Sequence, residues 1–123
     1  MNVHESGEMY LEAILVLSKQ NPFVRSVDVS EYLGYSKPSV SRAMGLLREG
    51  DLIRMEKDGG LYLTENGQAI AEKIYERHTV LTQVLVGLGV PAEIAAEDAC
   101  RIEHHISDVT FEAIKRHVSE AVK

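Results

Sequence analysis

The order of signals between Gly7 and Leu63 constrains this chain more than any other feature. From about Gly7 to Lys19, Met9, Tyr10, Ala13, Ile14 and Leu17 recur at the spacing of an amphipathic helix. Asn21-Pro22 ends it, because proline disfavours helix at the residue before it and has no amide to donate. Ser26 is placed to cap a short second helix over Val27–Leu33, and Gly34 suits a tight turn after it. Ser36 can cap a third helix with Pro38 in its first turn and Val40, Ala43, Met44 and Leu47 along its apolar face; Gly50 is a natural stop. Two short extended runs, Leu52–Glu56 and Leu61–Leu63, then flank Lys57-Asp58-Gly59-Gly60 and read as a β-hairpin. A helix, a short helix, a glycine turn, a helix and a hairpin in that order predict a winged helix-turn-helix.

The second half reads as helices alone. Thr64 can cap a long fourth helix, Glu65 to Val86, whose stripe is Ile70, Ile74, His78, Leu81 and Leu85. Gly87 and Gly89 break it, Pro91 opens a fifth helix running to about His105, and Asp108 is placed to cap a last one carrying Phe111, Ile114 and Val118. The expected fold is mainly α: residues 1–63 form a winged helix-turn-helix with a small β-hairpin wing, and residues 64–123 form a helical domain.

Composition narrows the function. The 123 residues suit one domain or two small ones, and no apolar run approaches the roughly 20 residues that cross a bilayer. The start, with Glu5 and Glu8, lacks the cationic opening of a signal peptide. Cys100 is the sole cysteine, so no intrachain disulfide forms, in keeping with a reducing cytosol. These features predict a cytoplasmic protein with no membrane partner. The formal charge of −6 argues against nucleic acid as a partner, since phosphate contacts need positive charge. Its distribution answers the objection: from Lys37 to Lys57 stand five basic residues (Lys37, Arg42, Arg48, Arg54, Lys57) against Glu49, Asp51 and Glu56.

In a winged helix the third helix enters the major groove and its N-terminal residues reach base edges. Here that end is Ser36-Lys37-Pro38-Ser39-Val40-Ser41-Arg42. Ser36, Ser39 and Ser41 offer hydroxyls, Lys37 a phosphate contact, Pro38 a surface for a thymine methyl, and Arg42 two parallel hydrogen bonds to guanine. Lys57 at the wing tip would touch the backbone. Read without function, Ser-Lys-Pro-Ser is a good helix start and the cations are solvated. The alternative is then a winged helix that binds protein and keeps a metal for stability.

Cys100, Glu103 and His104 form a C-x-x-E-H run whose spacings of three and four put Cys100 on the same helical face as the other two. All three side-chain types ligate metals. Met9 and Glu12 stand three apart on the first helix, and His78 sits within an apolar stripe where a buried imidazole needs a partner. Taken singly, Met9 reads as core filler, Cys100 as an inert buried thiol, His78 as a hydrogen-bonded core histidine and Glu12 as a solvated carboxylate. An enzyme reading rests only on a superficial likeness to H-x-x-E-H metalloproteases. Cysteine replaces the first histidine and no substrate cleft is evident, so neither catalysis nor a small organic substrate is expected.

Together Glu8-Met9-Tyr10-Leu11-Glu12, Ser36-x-Pro38-Ser39-Val40-Ser41, Tyr75-x-x-His78 and Cys100-Arg101-Ile102-Glu103-His104-His105 resemble the diphtheria toxin repressor family, over nearly the whole chain and in order. The resemblance implies a winged helix followed by a helical dimerisation domain with divalent metal between them, and a homodimer that represses by binding a two-fold-symmetric double-stranded DNA operator near metal-transport genes. It also implies the short form of the family, without the C-terminal SH3-like domain of longer members. The iron-type ligand pattern falls on Met9, Cys100, Glu103 and His104; the manganese-type pattern falls on Glu12, His78, Glu103 and His104. In the manganese branch an aspartate stands at the position of Met9 and a glutamate at that of Cys100. Thr82 and Ala96 occupy positions where the iron branch has further ligands. The chain is thus a hybrid. Two sulfurs in place of two carboxylates favour Fe²⁺ as effector over Mn²⁺, with Co²⁺, Ni²⁺ or Zn²⁺ as substitutes in vitro.

Overall fold

The structure, a computed structural model, describes residues 5–122, with side chains described over residues 6–119. Its elements are α1 (Glu5–Gln20), α2 (Ser26–Leu33), α3 (Lys37–Glu49), β1 (Ile53–Met55), β2 (Leu61–Leu63), α4 (Glu65–Gly87), α5 (Ala92–Ile102) and α6 (Asp108–Val122). They gather into two compact units, one ending at Glu72 and the other beginning at Lys73.

In the first unit the core is apolar. Tyr10, Leu11, Ala13, Ile14 and Leu15 of α1 are buried with Val29 of α2, Val40, Met44 and Leu47 of α3, and Leu52, Ile53 and Leu61 of the hairpin region. Each large side chain withdrawn from water contributes about 1.5–3 kcal/mol. The short α2 needs its ends fixed. Its N-cap is Arg25, not the expected Ser26, which is already helical; Asp28 accepts the Arg25 amide at 2.9 Å. The acidic residue in the first turn thus does the work assigned to the serine. Gly34 takes φ +73° and donates to the Ser30 carbonyl, as the turn requires. Ser36 caps α3 as expected, accepting the Ser39 amide at 3.3 Å, with proline in the first turn. At the other end Gly50 has φ −80°, and the left-handed residue is Asp51 at φ +59°. The Leu52 amide then reaches back to the Leu47 carbonyl at 2.9 Å, closing the helix end.

The wing is a two-stranded antiparallel hairpin pairing Ile53 with Leu63, Arg54 with Tyr62 and Met55 with Leu61. Gly59, at φ +89°, and the Asp58 side chain, which accepts the Gly60 amide at 3.0 Å, turn the chain. Leu61 also donates to the Val24 carbonyl at 2.7 Å, tying the wing to the segment before α2. Thr64 caps α4 as expected: its Oγ1 accepts the Gly67 amide at 3.1 Å and donates to the Asp51 carbonyl at 2.7 Å. Gly67 itself lies against Leu52 so closely that a Cβ would come within 1.9 Å of the Leu52 carbonyl oxygen.

The second unit is organised differently. Ile74, Leu81, Ala95, Ala99 and Phe111 are buried, and so are the charged Arg77 and Glu103. Arg77 lies on α4, and its Nη1 donates to the carbonyls of Glu103 at 3.0 Å and Ile106 at 2.8 Å. Its Nη2 pairs with Asp108 and its guanidinium sits 5.4 Å from the centre of the Phe111 ring. Here the chain departs from the sequence expectation. The fifth helix ends at Ile102 rather than near His105: the His105 amide bonds the Ile102 carbonyl at 2.9 Å in a tighter turn, and Arg77 satisfies the carbonyls of Glu103 and Ile106 beyond the helix end. The cap of α6 also differs. Ser107, not Asp108, accepts the Thr110 amide at 3.1 Å, while Asp108 is drawn to Lys73 at 2.9 Å and to Arg77. The hydrogen bond and charge of Lys73, then those of Arg77, hold the Asp108 carboxyl below the usual carboxylate range.

Candidate metal centre and nucleic-acid interface

The centre lies where α5 gives way to the turn before α6. Cys100 is in the last turn of the helix, Glu103 is its C-cap and His104 follows. The early end of the helix does not separate the three, because Glu103 keeps helical angles, φ −57° and ψ −26°. One donor atom each from Cys100, Glu103 and His104 lies within 4.8 Å of the others. Donors about 2.0–2.3 Å from one ion stand at most about 4.6 Å apart, so a small adjustment brings all three onto one cation.

Burial gives the centre its electrostatic character. The side chain of Glu103 is fully buried, that of His104 is 1% exposed and Cys100 is half-buried. His78, reaching from α4, places Nδ1 3.0 Å from Glu103 Oε2. Nε2 of His104 lies 3.4 Å from Oε1 of the same carboxylate. That Oε1 is buried and accepts no hydrogen bond from the described residues. A buried carboxylate oxygen in this condition is costly unless a cation or a donor meets it. The donor set (thiol, carboxylate, imidazole) suits a divalent transition metal, and the open oxygen is where one would be satisfied. The residues fit such an ion.

Met9 and Glu12 lie on α1 in the first unit, both half-buried. The Met9 sulfur accepts from the Tyr35 hydroxyl at 3.7 Å. Tyr35 in turn packs edge-on against Tyr10, with ring centres 6.0 Å apart. Burial pushes the Tyr10 hydroxyl above the usual phenol range, and Tyr35 adds to it. Thr82 and Ala96 are both half-buried in the second unit and supply no carboxylate or imidazole.

On the winged helix Ser36, Lys37, Pro38, Ser39, Ser41 and Arg42 are all exposed, as is Lys57 in the hairpin turn. Ser36 and Ser39 are partly occupied, the Ser36 hydroxyl donating to Ser39 Oγ at 2.8 Å. Arg54, one of the five basic residues from Lys37 to Lys57, lies in the wing over the Tyr62 ring at 5.8 Å. Sequence reading missed one surface residue here: Leu46 of α3 is 66% exposed although apolar. It also missed Arg77. The available signal was an arginine next to a histidine on a helix otherwise striped with apolar residues.

The family description "Iron dependent repressor, N-terminal DNA binding domain" matches residues 2–61, and "Iron dependent repressor, metal binding and dimerisation domain" matches residues 64–121. The chain is 37% identical to a transcriptional regulator MntR of Escherichia coli O6:H1 over 86% of its own length and 68% of the relative's. It is 34% identical to the HTH-type transcriptional regulator MntR of Geobacillus kaustophilus, over 83% of its length and 72% of the relative's. Among solved structures it resembles the manganese regulator SloR, with a TM-score of 0.83 at 29% identity over 97% of this chain. It also resembles a manganese-dependent transcriptional repressor in complex with manganese, with a TM-score of 0.85 at 25% identity over 92%. The chain spans about half the length of those two solved chains, 55% and 52%.

Proposed function

We propose, because this chain belongs to the iron-dependent repressor family, that it is a metal-activated transcriptional repressor that reads a two-fold-symmetric DNA operator as a homodimer. The observation that carries the metal dependence is the buried Glu103 carboxylate, flanked by Cys100 and His104 and hydrogen-bonded by His78. A bound divalent cation supplies the positive charge this cluster lacks. Cys100, Glu103 and His104 hold it, and His78 orients Glu103. In this reading residues 1–63 form the DNA-reading domain and 64–123 the metal-binding and dimerisation domain.

Ser36, Lys37, Ser39 and Ser41 dock the N-terminal end of α3 on the phosphates, Arg42 reads guanine, Pro38 meets a thymine methyl and Lys57 of the wing holds the backbone. None of Lys37, Arg42 and Lys57 makes an ion pair among the described residues, which leaves their charge for phosphate and base. The dimer buries the apolar side chains that the second unit leaves in water, Val86, Leu88, Ile94 and Val109, of which Leu88 is 76% and Val109 81% exposed. Two copies then offer two α3 helices to successive major grooves, about 34 Å apart. The protein acts in the cytoplasm, where operator and metal pool meet; among the described residues no helix is long and apolar enough to cross a membrane.

Fe²⁺ is the proposed effector, because the Cys100 thiolate is a softer donor than manganese favours. The manganese-named relatives support Mn²⁺ as the second reading. The test is operator affinity without oxygen, with Fe²⁺, with Mn²⁺ and with neither. Metal-dependent affinity that is lost in His104→Ala supports the reading, and equal affinity in all conditions overturns it. Arg42→Ala relaxes base preference by about 1–3 kcal/mol at one operator position.

A further inference from the structure

Helix α4 grips Glu103 at both ends. His78 bonds its carboxylate at 3.0 Å, and the preceding residue, Arg77, bonds its main-chain carbonyl at 3.0 Å. Arg77 is 5% exposed and uses its fork across the turn, reaching the Ile106 carbonyl at 2.8 Å and Asp108 as well. Glu103 needs such a hold. It is the C-cap of α5: its amide still bonds the Ala99 carbonyl at 2.9 Å, but its own carbonyl lies past the helical ladder, and its helical angles are what keep Cys100, Glu103 and His104 together. Nη1 bonds both carbonyls while Nη2, in the same rigid plane, is anchored on Asp108, a fixed placement that an ammonium on a flexible stem gives poorly.

We infer that Arg77 is a positioning residue of the metal centre: it holds the backbone of Glu103 so that the carboxylate meets Cys100 and His104 around one ion. This rests on the metal reading above. A merely structural role would stabilise the fold and leave the coordination sphere alone, and the two roles separate experimentally.

The test uses the full chain, without oxygen, with Co²⁺ as the probe, since its absorption reports both geometry and the Cys100 thiolate. Arg77→Lys keeps a buried cation but loses the fork. Its Co²⁺ affinity falls about 10–100-fold, the usual effect of removing an outer-shell partner, and its thiolate-to-cobalt band shifts. Arg77→Met loses at least as much. Asp108→Asn removes the charge that Nη2 of Arg77 pairs with while sparing the bonds to both carbonyls, and it keeps near wild-type affinity with an unchanged band. The inference is overturned if folded Arg77→Lys binds Co²⁺ as the wild type does, with the same spectrum. It is equally overturned if Asp108→Asn loses as much affinity as Arg77→Lys, because general loosening then explains both. A wild-type chain with no thiolate band overturns the metal reading itself, a result told apart because it precedes any substitution.

Discussion

The two units solve the problem of an interior in opposite ways. The first encloses aliphatic and aromatic side chains from α1, α2, α3 and the hairpin, including the fully buried Leu11, Ile14, Met44 and Ile53. The second buries Ile74, Leu81, Phe111 and the small Ala95 and Ala99, and with them the charged Arg77 and Glu103. An apolar interior needs no bound ion to neutralise it. An interior built around charge depends on what compensates that charge. The comparison assigns constancy to the DNA-reading head and responsiveness to the metal-binding body.

Breaking the first interior has the largest effect. Met44→Ala, at a fully buried site on α3, lowers stability relative to wild type by about 2–5 kcal/mol, by the same amount with and without metal. Urea unfolding of both proteins with and without metal checks this; a deficit that metal closed would erase the contrast between the units. Next comes the metal effect. A divalent ion at about 100 times its Kd stabilises the wild type by about 2.7 kcal/mol, chelation removes the gain, and His104→Ala abolishes it. Thermal melts with a metal series and a chelator measure this, and a gain that survived in His104→Ala would place the ion elsewhere. Thr64→Ala removes the cap of α4 and its bond to Asp51, costing about 1 kcal/mol, again with no dependence on metal.

The smallest effect sharpens the comparison through pH. Asp108 titrates below its ordinary value in the folded protein. Its contribution is therefore complete above the unfolded carboxyl value of about 3.9 and is lost as pH falls through the lower folded value. Asp108→Asn flattens this acid limb. Because the side chain is 68% exposed, the change is a modest one, read from stability curves between mildly and strongly acidic pH.

Helices and wing were legible in the sequence because their signals are local. The repeat of Met9, Tyr10, Ala13, Ile14 and Leu17, the stop at Asn21-Pro22, the cap at Thr64 and the turn at Asp58-Gly59 each need only their neighbours along the chain. The three donors Cys100, Glu103 and His104 were legible for the same reason. What was not legible depends on partners far away. Arg77 finds its acceptors 26 to 31 residues later, and a charged residue on a helix ordinarily faces water. Ser107 and Asp108 are both good caps by type, and the pull of Lys73 and Arg77 on Asp108 decided between them. At Arg25 no residue type advertises a cap; the reciprocal bond comes from Asp28.

Gly67 carries a consequence for how this protein can vary. Where α4 leaves the wing, backbone meets backbone, and even a methyl group would overlap the Leu52 carbonyl. Most positions can be traded up or down in size and the neighbours absorb the change. Here there is no smaller residue to trade to and no side chain on the facing atom to move aside. The contact between the start of α4 and the wing is therefore set by an omission, and it admits no gradual adjustment: any alteration at this position opens it.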